Sequence, residues 1–171
     1  MSRKLPVRLV LSAIVIAAAV ACGEHASPTS PALAVTQPPQ KHQKGHTVAT
    51  CNIPKEMNFS GNFGPRGGKL DLGPGNSLEI PQGALRQETT ITAHVPKGTQ
   101  AKVQFSPEGL QFVVPAVLTA SYSACVTPSA DVSIAYLRAD TVVEVEPSVS
   151  NPDKQNVTAK ISHFSSYAVA Y

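Results

Sequence analysis

The side chains able to do chemistry in this chain are few, and their spacings are mostly unhelpful to it. Three cysteines (Cys22, Cys51 and Cys125) and five histidines are spread over 171 residues. His42 and His46 are four apart, which on a helix would turn both imidazoles toward one metal, but Gly45 and the prolines upstream argue against a helix there. Glu144 and Glu146 project from one face of a strand at a separation compatible with a carboxylate pair, although a solvated strand face explains them more simply. Gly67-Gly68-Lys69 invites comparison with a phosphate loop. Phe63, however, stands where its first glycine belongs, Leu70 replaces the Ser or Thr, and a strand follows rather than a helix. His94 falls on the polar face of a strand from Glu88 to Val95 and reads as exposed. There is no tryptophan for a sugar platform, and Phe59, Phe105, Phe112, Tyr122 and Tyr136 are better spent on a core. No metal and no cofactor is expected.

Cys22 is informative because of what precedes it. Arg3, Lys4 and Arg8 are followed by an uncharged apolar run from Leu9 to Val20, then Ala21 and the cysteine. That run is shorter than the roughly 20 apolar residues a spanning helix needs, and it ends in small residues suited to a peptidase cleft. It reads as a signal peptide over residues 1–21. Ala19, Val20, Ala21 and Cys22 resemble the lipobox of bacterial lipoproteins, which implies cleavage before Cys22 and attachment of lipid, palmitate included, to its sulfur. At about 0.8 kcal/mol per buried methylene, several acyl chains on one cysteine hold a protein at a membrane durably. The simpler alternative is an ordinary secretory signal in which Cys22 is incidental. The resemblance implies a bacterial cell-envelope location, facing the periplasm or the cell surface, with the outer membrane favoured over the inner.

Removing the signal also removes three of the fourteen basic residues, so eleven Lys and Arg then face eleven Asp and Glu. A nucleic-acid partner, which needs a clustered basic footprint, has no support. With Cys22 committed to lipid, Cys51 and Cys125 allow a single pairing, and an exported domain can keep it oxidised. Neither lies in a Cys-x-x-Cys pair or beside a histidine, which disfavours redox or zinc chemistry. Residues 22–50 comprise the lipidated cysteine and a segment rich in Pro, Ala, Ser, Thr, Gln and His, including Pro28, Pro31, Pro38 and Pro39. They read as a disordered tether spanning about 30 Å on average.

Residues 51–171 form one domain, long enough to bury a real core. Apolar residues recur with period two: Leu78 and Ile80; Ile91, Ala93 and Val95; Leu118, Ala120 and Tyr122; Val132, Ile134 and Tyr136; Val143 and Val145; Val157, Ala159 and Ile161. Gly, Pro, Asn and Asp clusters separate them, such as Gly73-Pro74-Gly75-Asn76, Pro81-Gln82-Gly83 and Asn151-Pro152-Asp153. No segment keeps a helical period for ten residues. The expected fold is all-β, an antiparallel β-sandwich of about eight or nine strands.

Four stretches of that domain together resemble the ZU-five domain, the module named for zonula occludens proteins and Unc-five receptors. They are Gly64-Pro65-Arg66-Gly67-Gly68-Lys69-Leu70, Ile80-Pro81-Gln82-Gly83-Ala84-Leu85, Ser106-Pro107-Glu108-Gly109-Leu110-Gln111-Phe112, and His163-Phe164-Ser165-Ser166-Tyr167-Ala168-Val169. The resemblance covers roughly residues 60–171 and implies a β-sandwich used as an interaction module. The residues also have a plainer role: the glycines supply positive φ, and Pro65, Pro81 and Pro107 set turn entries.

In some eukaryotic ZU-five proteins the tripeptide matching His163-Phe164-Ser165 is a self-cleavage site. Carried over, His163 would be general base and Ser165 the nucleophile on the Phe164 carbonyl, giving an ester that water hydrolyses. Geometry sets a condition, since in a regular strand residues 163 and 165 share a face but lie about 6.5 to 7 Å apart, too far for a hydrogen bond. A bulge or a strained peptide at Phe164 is therefore needed. Otherwise His163 and Ser165 tie down a strand corner and Phe164 fills the core. The leading expectation is a non-enzymatic envelope protein, attached to a membrane through lipid on Cys22, whose sandwich binds another envelope protein or a cell-wall component. Self-cleavage between Phe164 and Ser165 is the competing one.

Overall fold

The computed structural model describes residues 45–126 and 131–171. The signal, Cys22, His42 and most of the tether lie outside the described residues. Among the described residues there are fourteen strands, more than the eight or nine expected: β1 (Thr50–Ile53), β2 (Met57–Phe63), β3 (Gly68–Asp71), β4 (Ser77–Ile80), β5 (Thr89–Val95), β6 (Gly98–Gln100), β7 (Lys102–Ser106), β8 (Gln111–Ser121), β9 (Cys125–Val126), β10 (Ser133–Arg138), β11 (Thr141–Glu146), β12 (Ser148–Asn151), β13 (Asn156–His163) and β14 (Ser166–Ala170). Among the described residues there is no helix.

All pairings are antiparallel, and they build a sandwich. One sheet has the order β11-β10-β14-β7-β5-β2, the facing sheet β12-β13-β8-β4-β3, and a small third sheet β6-β1-β9. The alternation read from the sequence is what drives this arrangement. Along β5, Ile91 and Ala93 are buried while Thr90 and Thr92 are exposed, and along β13 Val157, Ala159 and Ile161 are buried. Each fully buried Leu or Ile stabilises by roughly 1.5 to 3 kcal/mol, so one packed face per strand suffices to fix the register. Leu70, Leu78, Ile80, Leu118 and Ile161 of the second sheet meet Phe63, Ile91, Phe105, Ile134, Tyr167 and Val169 of the first in a single core.

Cys51 and Cys125 face each other across β1 and β9 and are joined by a disulfide. The folded part also begins earlier than the composition suggests. Thr47 and Tyr171 exchange backbone hydrogen bonds, Val48 bridges Ala170, and Ala49 is fully buried with its N–H on the Val169 carbonyl at 2.8 Å. Thr47 to Ala49, read as part of the tether, therefore extend the first sheet alongside β14, and Thr50 already opens β1 of the third sheet. Two threonines and a preceding polar run concealed a pair of residues, Val48 and Ala49, that the sheet can use.

The chain changes sheet repeatedly at one end of the sandwich: from β2 to β3, β4 to β5, β7 to β8 and β13 to β14. Those four crossings hold the stretches from Gly64 to Leu70, Ile80 to Leu85, Ser106 to Phe112 and His163 to Val169, and the sheets meet there.

Candidate functional site

At the first crossing, Gly67 has φ +70° and donates its N–H to the Gly64 carbonyl at 2.9 Å. A Cβ there would sit 2.1 Å from the Ile80 carbonyl oxygen, so both the conformation and the close approach demand glycine. At the second crossing, Gly83 N–H reaches the Pro65 carbonyl at 2.8 Å, locking the first two stretches together. The third and fourth interlock likewise: Phe164 N–H donates to the Leu110 carbonyl at 2.8 Å, Gly109 N–H to the Phe164 carbonyl at 3.0 Å, and Phe105 N–H to the Ser165 carbonyl at 3.1 Å. Val113 N–H, bonded to the Ala84 carbonyl at 3.0 Å, couples the two pairs. Backbone groups that leave the ladder at a sheet change must find partners elsewhere, and here they find each other.

His163-Phe164-Ser165 is the last of these crossings. β13 stays in register with β8 to Ile161, opposite Ala116, and the next pair is His163 with Gln111, an irregularity in which the extra residues belong to β8. β13 ends at His163, and β14 starts at Ser166 in the other sheet. The Phe164 ring is fully buried, stacked on Phe105 and edge-on to Phe112, with both centroids 4.9 Å away. It pins the corner to the core.

His163 turns elsewhere. Its ring meets Tyr136 edge-on at 5.1 Å, its Nδ1 lies 3.5 Å from Ser162 Oγ, and its carbonyl accepts the Tyr167 hydroxyl at 2.7 Å. Ser165 is buried, and among the described residues its Oγ makes no hydrogen bond to His163 or to any other group. Among the described residues, those in the left-handed region are Ala139, Asp140 and Gln155 together with seven glycines, so Phe164 carries no such strain. The Phe164 carbonyl thus carries a backbone donor and adjoins the unbonded Ser165 hydroxyl, while the His163 imidazole faces Tyr136 instead. Gly109 and Tyr167 were missed as contributors. A backbone amide leaves no mark in residue type, whereas Tyr167, four residues beyond His163, is the kind of buried phenol that must find an acceptor.

The acidic pair lies close by. Glu144 stands opposite Tyr136, which in turn stands opposite Tyr167, so the Glu face of β11 is the core-side face of the sheet at its margin. The solvated-face reading therefore fits Glu144, which is exposed, better than Glu146, which is half-buried. Burial, followed by the nearby Glu144 carboxylate, raises the Glu146 pKa above its ordinary value. Burial first, then Glu146, Tyr136 and Glu144, pushes Tyr167 well above the usual phenol range. Among the described residues no group of three His, Cys, Asp or Glu could hold a metal. His94 is not simply exposed, since its ring bridges Glu56 Oε1 at 3.1 Å and Gln104 Oε1 at 3.0 Å. His46, the other half of the histidine pair, has a buried Nδ1 without a hydrogen bond.

Beside the corner, the irregular part of β8 leaves Val113 58% and Val114 41% exposed, next to the exposed Pro115. Val113 lines an open cleft bordered also by Ala84 to Gln87, Thr89 and Leu110 to Phe112, and Val114 and Pro115 continue the strand beyond it. No family model matches the chain, and no curated protein matches it in sequence.

Proposed function

We propose that this chain is a lipid-anchored cell-envelope protein whose ZU-five-like sandwich is a non-catalytic interaction module for another envelope protein or a cell-wall component. The observation that carries this reading is the exposed apolar ledge of Val113, Val114 and Pro115, which begins in an open cleft at Val113, beside a His163 ring that is engaged with Tyr136. Neighbouring apolar side chains left in water at the rim of a cleft are a feature of docking surfaces. The anchor rests on the arrangement of residues 1–22. Two experiments test the reading. Cys22→Ser should move the protein from the membrane fraction to the soluble fraction. A photo-crosslinking residue at 113 should yield adducts in living cells that one at the still more exposed Val149 does not, and V114S added to the 113 probe should sharply reduce them without lowering the melting temperature. Equal labelling at both positions would defeat the proposal.

A second reading, self-cleavage, is favoured by one observation: Gly109 N–H already points at the Phe164 carbonyl, where an oxyanion would form. His163 would have to rotate off Tyr136 and take the proton of Ser165 Oγ. The oxygen then bonds the Phe164 carbonyl carbon, the C–N bond breaks with the proton passing to the Ser165 nitrogen, and water hydrolyses the resulting ester. Since β14 lies between β10 and β7, the severed piece would stay in place under native conditions. Denaturing mass spectrometry is therefore the test, with an intact chain after prolonged incubation refuting it and Ser165→Ala blocking any cleavage found.

A further inference from the structure

The sheet margins differ in how they are protected. A free strand edge offers unpaired N–H and C=O groups, and folded proteins ordinarily blunt it by shortness, charge, proline or a bulge. β3 and β12 have four residues each; β3 carries Lys69 and Asp71, and β12 lies between Pro147 and Pro152. β11 carries Glu144 and Glu146 and pairs with β10 through an irregular register. β6 and β9 have three and two residues. β2 has none of these devices. It runs seven residues in unbroken register with β5, from Met57 opposite Val95 to Phe63 opposite Thr89, with no charge and no proline. Among the described residues nothing pairs with its other side.

The β2 sequence, Met57-Asn58-Phe59-Ser60-Gly61-Asn62-Phe63, is also complementary to its own reverse. Turned about Ser60, Met57 falls opposite Phe63 on the core-side face and Asn58 opposite Asn62 on the outer face. The amides match as well as the residue types. Asn62 Oδ1 is occupied by the Thr90 hydroxyl at 2.8 Å, which leaves its Nδ2 as donor, while Asn58 uses its Nδ2 toward Glu56 and keeps Oδ1 as a free acceptor.

We propose that β2 pairs antiparallel with β2 of a second copy about a twofold axis at Ser60, joining the two six-stranded sheets into one. Asn62 Nδ2 then donates to Asn58 Oδ1 of the second copy, twice by symmetry. Such an isologous contact closes on itself, so the undefended margin ends in a dimer rather than an open stack. The inference is independent of the ledge at Val113.

The test uses the full-length chain in membranes. Ser60→Cys places two thiols directly opposite, roughly 5 Å apart at Cβ, whereas Thr92→Cys, one strand inward on the same face, leaves them three strand spacings or about 14 Å apart. Mild oxidation should give a species of twice the chain mass for Ser60→Cys and none for Thr92→Cys or the unaltered chain. Added to Ser60→Cys, N58K/N62K sets like charges opposite each other and should cut the dimer roughly tenfold, while N58K/N62E sets opposite charges together and should preserve it. Both charge variants burden the monomer's β2 similarly, so a folding defect would affect them alike. Absence of the dimer, equal crosslinking at 92, identical behaviour of the charge variants, or a ladder beyond two chains would each overturn the proposal.

Discussion

Truncating Phe164 to alanine tests whether the sheet crossing is held by its aromatic pin. The ring is fully buried between Phe105 and Phe112, each with its centroid 4.9 Å away, one stacked and one edge-on. Phe to Ala in a packed core costs about 3–5 kcal/mol, and favourable ring pairs add about 0.5–1.5 kcal/mol each beyond area, which places this site in the upper half of that range. The crossing cannot easily close over the void, because the Phe164 N–H and C=O are tied to Leu110 and Gly109. Against a typical total of about 5–15 kcal/mol, the loss would be a large share. Urea unfolding with the disulfide intact, followed by tyrosine fluorescence because the chain has no Trp, measures it. Ser165→Ala, by contrast, removes a hydroxyl without a partner and should stay within about 0.5 kcal/mol. A cost under about 1 kcal/mol for Phe164→Ala, or a cost for Ser165→Ala approaching it, would refute the reasoning.

Replacing both Cys51 and Cys125 with Ser opens a loop of 74 residues, and the chain-entropy relation puts the destabilisation at about 4.4 kcal/mol, readable as a shift of the urea midpoint. Glu146→Gln should stabilise the protein at pH 7, because a raised pKa means that folding disfavours the ionised form. That advantage should shrink as pH falls through the raised value toward 4.5, where the unfolded chain is protonated too, and thermal melts across that range check it. Tyr167→Phe loses the hydrogen bond to the His163 carbonyl, about 1 kcal/mol at neutral pH. Above pH 10 the unfolded chain ionises this phenol while the native state resists, so the parent protein should lose stability with rising pH more steeply than the variant in alkaline melts.

How far these features could be read in advance depends on whether one face of a strand meets water. β4, β5, β8 and β13 do alternate, and each was recognisable from its period, whereas β10, marked by Ile134 and Tyr136, buries Ala135 and Leu137 of its other face as well. β14 does not: Tyr167, Ala168, Val169 and Ala170 are all buried, so a central strand reads as a small apolar run. β11 alternates with its meaning inverted, since Val143 is 43% exposed while the glutamates take the core-side face. β1, β6, β9 and β12 are too short to show a period. At the corner, the glycines and prolines announced turns. That the turns bond to one another, Gly83 to Pro65 and Gly109 to Phe164, involves main-chain atoms that every residue possesses. The direction of His163 depends on Tyr136 of β10, 27 positions earlier in the chain, and spacing within the tripeptide could not supply it.

The mutual bonds of Thr47 and Tyr171 determine how the domain bears tension. A pull applied to the chain ahead of Gly45 loads first the short ladder from Thr47 to Ala49 along β14, which can peel one bond at a time. Two residues past Ala49, peeling meets the covalent link from Cys51 to Cys125, and further stress passes into a crosslink instead of the sheet. The molecule thus has a slack of a few residues in series with a hard stop, a shock absorber whose travel is set by the position of one sulfur.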